Sequence, residues 1–93
     1  MTKREAAEVL ALGALGWLVA DEALLPLFLD ATGMSPDEIR SRAGEADMLL
    51  AVLDFLMGDD ARIIGFSTAT GRAPAATADA LSQLSGGADR HWT

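Results

Sequence analysis

The chain contains 93 residues, of which 51% are hydrophobic, and its formal net charge is −7 at pH 7. Because it has no cysteine, disulfide bonds, thiolate zinc sites and a cysteine nucleophile are excluded. The negative charge disfavours binding to nucleic acid and to anionic membranes, whose phosphates would repel the protein. The longest uncharged run, from Val9 to Ala20, is shorter than the about 20 residues of a membrane-spanning helix. We therefore expect a cytoplasmic protein without a membrane segment.

The hydrophobic residues are mainly Leu and Ala, which favour helices, whereas aromatic residues make up only 5% of the chain. In chain order, the pattern predicts six helices, at about residues 3–20, 22–32, 36–43, 45–57, 60–70 and 74–84. These form a single domain over residues 1–84, and we expect residues 85–93 to be a flexible tail. Pro26 lies deep in the second predicted helix, which should therefore start late or bend there.

The two halves of the chain resemble each other when the sequence is shifted by 38 residues. Between residues 12–36 and 50–74, ten of the 25 aligned positions are identical. The identical pairs are Leu12 and Leu50, Leu15 and Leu53, Leu18 and Leu56, Asp21 and Asp59, Ala23 and Ala61, Phe28 and Phe66, Ala31 and Ala69, Thr32 and Thr70, Gly33 and Gly71, and Pro36 and Pro74. This pattern predicts an all-α fold, a compact six-helix bundle made by tandem duplication of a three-helix unit, with units at about residues 3–43 and 45–84.

Several of the repeated residues are suited to helix ends. Asp21 and Asp59 precede the second helix of each unit, where a carboxylate can cap the free N–H groups. Gly33 and Gly71 follow that helix, where a left-handed residue commonly ends it.

The third helix of each unit is predicted to begin at a proline. Pro36 and Pro74 are expected in the first turn, which tolerates a missing N–H group. In the first unit, Ser35 and Glu38 add a capping box. In the second unit Ala73 occupies the capping position, so the sixth helix should be weaker by about 1 kcal/mol.

We expect the fold to depend on a small set of structural residues. These are Trp17, Phe28, Gly33, Pro36, Phe55, Phe66, Gly71 and Pro74. The side chains predicted to be mostly buried are Leu15, Trp17, Leu18, Phe28, Leu53, Phe55, Leu56 and Phe66.

The first and fourth helices are apolar nearly all round, because residues 9–20 carry no charge and residues 48–57 carry only Asp54. Helices without a polar face are normally central, so we expect these two to cross at the centre. Alternatively, part of their surface is a subunit interface, since four short helices with many charged residues are not expected to cover both. This second interpretation predicts a symmetric homodimer, without specifying the interface residues.

The segment around Gly33 also resembles part of a DNA-binding helix-turn-helix. In that motif Gly33 would make the turn and Ile39 would pack the recognition helix. Arg40 and Arg42 would follow it. Residues 36–38, Pro-Asp-Glu, however, place two carboxylates where phosphate contacts would lie. A helical hairpin with good caps explains the same residues, and nucleic-acid binding is not expected.

Other polar residues are candidates for catalytic or metal-binding groups. Asp54, Asp59 and Asp60 form an acidic cluster near Gly58, but they lack the alternating oxygen ligands of a calcium loop. His91 stands beside Trp92 in the predicted tail, whose order the sequence leaves open, and nothing there holds it for acid–base catalysis. We therefore predict no catalytic, cofactor-binding or metal-binding residues, and no enzymatic activity.

Four segments carry a resemblance to a known family. They are residues 14–21 (Ala-Leu-Gly-Trp-Leu-Val-Ala-Asp), 27–33 (Leu-Phe-Leu-Asp-Ala-Thr-Gly), 37–40 (Asp-Glu-Ile-Arg) and 51–60 (Ala-Val-Leu-Asp-Phe-Leu-Met-Gly-Asp-Asp). Over about residues 4–84 the chain resembles a family of short alphaproteobacterial proteins known only as a domain of unknown function. The resemblance implies a small all-helical protein and supplies no catalytic residues. Members of that family often lie beside genes for single-domain response regulators, which implies a role in bacterial signalling.

Two functional hypotheses follow. The leading hypothesis is a non-enzymatic protein-interaction or regulatory domain that recognises an unidentified protein partner or a second copy of itself. The alternative is a degenerate helix-turn-helix protein that binds nucleic acid, which would show steeply salt-dependent DNA binding.

Overall fold

The computed structural model describes residues 1–86, which form six α-helices and no β-strand. The helices are α1 (Lys3–Val19), α2 (Leu24–Thr32), α3 (Pro36–Ser41), α4 (Ala46–Met57), α5 (Asp60–Thr70) and α6 (Ala75–Leu84). The all-α, six-helix prediction is confirmed, and each helix bound agrees with the sequence pattern to within two residues.

Capping boxes begin α1 and α3. At α1, the Glu5 amide donates to Thr2 Oγ1 at 3.0 Å, and the Thr2 amide donates to Glu5 Oε1 at 2.8 Å. The same exchange joins Ser35 and Glu38 at the start of α3, with distances of 3.0 and 3.2 Å. Pro36 is the first residue of α3, as the sequence predicts. Both starts are thus set by local side chains, before any tertiary contact is made.

The helix α2 starts two residues later than the sequence pattern predicts, and the position of Pro26 explains the difference. The helix begins at Leu24 rather than at residue 22, so Pro26 lies within its first turn. The proline nitrogen there carries no hydrogen, in a turn whose N–H groups have no partner within the helix. The Asp21 carboxylate accepts hydrogen bonds from the amides of Ala23 (2.8 Å) and Leu24 (3.1 Å), and so caps the helix from a short turn before it.

The ends of α2 and α5 have the same local structure. Gly33 and Gly71 follow these helices in the left-handed conformation, with φ of 73° and 76°. The hydroxyl groups of Thr32 and Thr70 each donate to the carbonyl four residues earlier, at 2.8 Å in both cases. This is the conformation that the repeated Thr-Gly pair predicts.

The prediction that α6 starts at Pro74 is wrong by one residue. The helix begins at Ala75, and Pro74 is its N-cap residue with a helical φ of −55°. No side chain caps this end, because Ala73 stands where the first unit has Ser35. Asp59 does cap α5, since its carboxylate accepts from the Ala61 amide at 2.9 Å.

The core is organised around α4, which packs against α1, α2, α5 and α6. In addition, α6 packs against α1, so α1, α4 and α6 form a three-helix layer. The buried side chains of α1 and α4 are Ala7, Leu10, Ala11, Ala14, Leu15, Leu18, Met48, Leu49, Val52, Leu53, Phe55 and Leu56. By contrast α3 buries only Ile39.

Aromatic contacts attach α2 and α5 to this layer. Phe28 of α2 is fully buried and meets Phe55 of α4 edge to face, with ring centroids 5.3 Å apart. Phe66 of α5 is 1% exposed and lies 5.7 Å from the Trp17 ring of α1. Such ring geometries add about 0.5–1.5 kcal/mol to the burial of the rings themselves.

We expect Phe28→Ala to lower the free energy of unfolding by about 3–5 kcal/mol, because the substitution leaves a cavity between α2 and α4. Leu27→Ala is the matched control, since the neighbouring side chain is 48% exposed, and its effect should stay within about 1 kcal/mol. Urea unfolding followed by circular dichroism measures both variants. Equal stability of the two would mean that Phe28 is not part of the core.

We expect Gly33→Ala and Gly71→Ala to destabilise the protein by about 1–2 kcal/mol each, because a Cβ atom is disfavoured at positive φ. Nothing lies within 4 Å of either added Cβ, so the penalty comes from the backbone conformation and not from a clash. Gly44→Ala is the control: its site is equally open but φ is not positive. A control as unstable as the two variants would contradict the explanation.

Candidate interaction surface

The residues of the suggested helix-turn-helix lie in α2, in the turn at Gly33 and in the capped helix α3. In α3, which has only six residues, Arg40 donates to the Asp37 carboxylate at 2.7 Å. The Arg42 side chain binds Glu45 at 2.9 Å and lies 3.7 Å from Asp47. The hydrogen bond to Glu45 raises the pKa of Arg42 above its ordinary value. Both arginines that would face DNA phosphates are thus engaged by carboxylates of the chain.

The acidic cluster near Gly58 has a structural explanation. Asp59 caps α5, while Asp54 and Asp60 are exposed. Within residues 1–86, no three histidine, aspartate or glutamate side chains are grouped so that they could hold a metal ion. His91 and Trp92 lie outside the described residues.

Arg62 of α5 supports the fold from the same region. Its Nη1 donates to the Phe55 carbonyl at 2.8 Å, and its guanidinium lies 3.9 Å above the Phe55 ring. The carbonyl belongs to the last turn of α4, whose carbonyl groups lack partners within the helix. A small hollow of about 390 Å³ between α2, α4 and α5 is lined by this arginine, which is therefore already committed to a structural contact.

One side of α1 carries exposed apolar residues, which we call the α1 outer face. It consists of Val9, Leu12, Gly13, Gly16 and Val19. Val9 is 48% exposed, Leu12 44% and Val19 37%. Their spacing places them on one side of the helix. The buried alanine and leucine side chains of α1 lie on the opposite side, which faces the core.

The exposed outer face corrects the expectation that both long helices are central. α4 is surrounded by other helices, but α1 lies at the edge of the layer and is covered on one side only. Gly13 and Gly16 have nothing within 4 Å of an added Cβ, so no neighbouring element explains them. Two glycines in a helix interior each cost up to about 1 kcal/mol relative to alanine.

No single helix in residues 1–86 has both the length and the apolar composition to span a membrane. Among the described helices, α1 and α2 have that length and composition only when counted as a pair, and they are bent by 114° at the break between them.

Trp17 forms the border of the α1 outer face towards α5. The sequence predicts a mostly buried side chain, and Trp17 is partly buried and packed against the core. A Cβ added to Gly65 would lie 3.2 Å from Trp17 Cζ2, which shows how closely the indole packs on α5. Gly65 was not identified from the sequence, because its partner is 48 positions away in the chain.

A second surface feature is an open groove of about 560 Å³ between the first half of α1 and α6, which we call the α1–α6 groove. Its lining residues are Lys3, Ala6, Ala7, Leu10, Arg72, Ala76, Asp79, Ala80, Ser82 and Gln83. Four of these ten residues are alanines, two on each helix. The sequence offered no signal for this groove, since its two sides come from opposite ends of the domain.

A known protein family matches most of the chain. The sequence profile of the family described as Protein of unknown function (DUF3572) matches residues 4–87, a region that includes nearly all of the six helices. No curated protein and no solved structure matches the chain. The expected membership of a family of unknown function is therefore confirmed: the chain belongs to the DUF3572 family.

Proposed function

We propose that this chain is a non-enzymatic protein-interaction domain that self-associates through the α1 outer face. The observation that carries the proposal is the exposure of Val9, Leu12 and Val19 along one side of a core helix. Apolar side chains that follow one another on a surface commonly mark an interaction site, whereas single exposed ones need no explanation.

The polar residues of the domain support a structural rather than a catalytic use. Thr2, Asp21, Ser35 and Asp59 accept hydrogen bonds from helix N-termini. Each of these groups is occupied by a backbone amide of the fold. The proposal therefore assigns the chemistry of the domain to its surface and not to an enclosed site.

A second copy of the chain is the partner that suits the α1 outer face. Two-fold symmetry lets the apolar face of one copy cover the identical face of the other. The same helix of each copy then provides one side of the interface. Gly13 and Gly16 stand in the middle of the face, where the absence of side chains lets a second helix approach closely. Glu5 and Glu8 border the face at its N-terminal end and limit the contact to the uncharged part of α1.

Electrostatic repulsion opposes this association. Each chain carries a net charge of −7, so two copies repel each other until salt screens the charges, with a Debye length of about 10 Å at 0.1 M. Self-association should therefore strengthen as salt is added. DNA binding through phosphate contacts would weaken under the same change.

We expect the purified chain to form dimers at micromolar concentration, increasingly so with salt, and Leu12→Glu to make it monomeric by placing a charge in the interface. Leu27→Glu is the matched control, because Leu27 is 48% exposed against 44% for Leu12 but lies on α2. Sedimentation velocity across a salt series measures both. A mass near 9.7 kDa under all conditions would refute self-association.

A second variant tests whether the helices meet at the glycines. Gly13→Ala with Gly16→Ala should stabilise the monomer by up to about 1 kcal/mol per site, because both sites are open and helical. The same change should weaken the dimer, since the added methyl groups separate the two helices. Unfolding experiments measure the gain in monomer stability, and sedimentation measures the loss of dimer affinity. A dimer strengthened by the double substitution would show that the two helices do not meet at the glycines.

A further inference from the structure

Most basic side chains of this acidic protein already have a binding partner within the fold. All of its Lys and Arg residues except Arg90 lie within the described residues. Arg40, Arg42 and Arg62 are held by carboxylates, or by a carbonyl and an aromatic ring. Arg4 donates to the Gln83 carbonyl at 3.4 Å and lies 3.9 Å from the Glu8 carboxylate.

The remaining two bases line the same groove. Within residues 1–86, the side chains of Lys3 and Arg72 form no ion pair and no hydrogen bond, and both border the α1–α6 groove. The backbone of Arg72 is fixed, because its carbonyl accepts a hydrogen bond from the Ser67 hydroxyl. Lys3 and Arg72 are 69 positions apart in the sequence, so the packing of α6 on α1 is what brings them together.

The shape of the groove suits a helix. On each side, its lining residues follow the spacing of one helical face, Lys3, Ala6, Ala7 and Leu10 on α1, and Ala76, Asp79, Ala80 and Gln83 on α6. Each side extends over about two helical turns, or about 10 Å. The alanines provide an apolar floor without filling the space, as in grooves that receive the apolar face of an amphipathic helix.

From this placement we infer that the α1–α6 groove binds an amphipathic helix of a partner protein, with leucine-like residues on the alanine floor and acidic residues towards Lys3 and Arg72. Asp79, also in the groove, disfavours an acidic residue at one side and so helps fix the orientation of the bound helix. The inference rests on the proposed role as an interaction domain, but it uses a different side of α1 from the outer face.

The probe is an acetylated and amidated peptide of about four helical turns, with leucines along one face and glutamates beside them. A matched peptide carries lysine in place of every glutamate. Titration of the full-length ¹⁵N-labelled chain should shift the amide signals of residues 3–10 and 72–83 with the glutamate peptide. The lysine peptide should bind about tenfold more weakly or not at all.

Protein variants locate the site. Combined Lys3→Glu and Arg72→Glu substitution should weaken binding of the glutamate peptide at least about tenfold, whereas Arg40→Glu, at an exposed base outside the groove, should leave it unchanged. Ala6→Trp should also block binding by filling the groove from an exposed position, and Ala61→Trp on α5 is its control. These five substitutions lie at exposed or half-buried positions, so the helical circular dichroism spectrum should be retained.

Each outcome decides the inference. No shift in the groove with the glutamate peptide, equal binding of the lysine peptide, or unchanged binding by the Lys3 and Arg72 variant would overturn it. Leu12→Glu separates this inference from self-association, since a monomeric variant with an intact groove should bind the peptide as tightly as the wild-type chain. A wild-type chain that stays monomeric but binds the glutamate peptide would therefore refute only the proposed dimer.

Discussion

The burial of α4 is the constraint on which the rest of the structure depends. Met48, Val52, Leu53 and Leu56 are completely buried, because other helices pack around this one from several sides. With few aromatic residues in the chain, much of the core consists of the Met, Leu, Val and Phe side chains that α4 buries. The neighbouring helices therefore pack around α4. Side chains on the faces of these helices that point away from the core stay at the surface.

The alanine content of the other helices explains why so much of α1 stays exposed. Ala7, Ala11 and Ala14 let α1 approach its neighbours closely, since a small side chain adds little distance between helix axes. The same small residues bury little area, so they cannot occupy the space that larger side chains would fill. One consequence is a thin layer in which α1 is covered on one side; another is the open groove towards α6.

Local features of the fold could be predicted from sequence, and non-local ones could not. The capping boxes, the Asp59 cap and the positive φ of Gly33 and Gly71 follow from residues within one helical turn. The sequence showed that α1 is apolar nearly all round, but its coverage depends on where five other helices lie. For the same reason the packing of Trp17 on Gly65 left no trace in the sequence. The α1 outer face and the α1–α6 groove likewise depend on the packing of helices that are distant in the sequence.

The packing of α6 against α1 has a consequence for synthesis of the chain. The core-facing side of α1, including Ala7 and Leu10, leaves the ribosome long before Ala80 and Leu84, its partners in the same layer. Until α6 has emerged, α1 and α4 expose apolar surface that the finished domain covers, and such nascent surfaces favour aggregation. Completion of the core thus depends on α6, and a ribosome that stalls before Ala75 would hold a partly folded chain with exposed apolar surface.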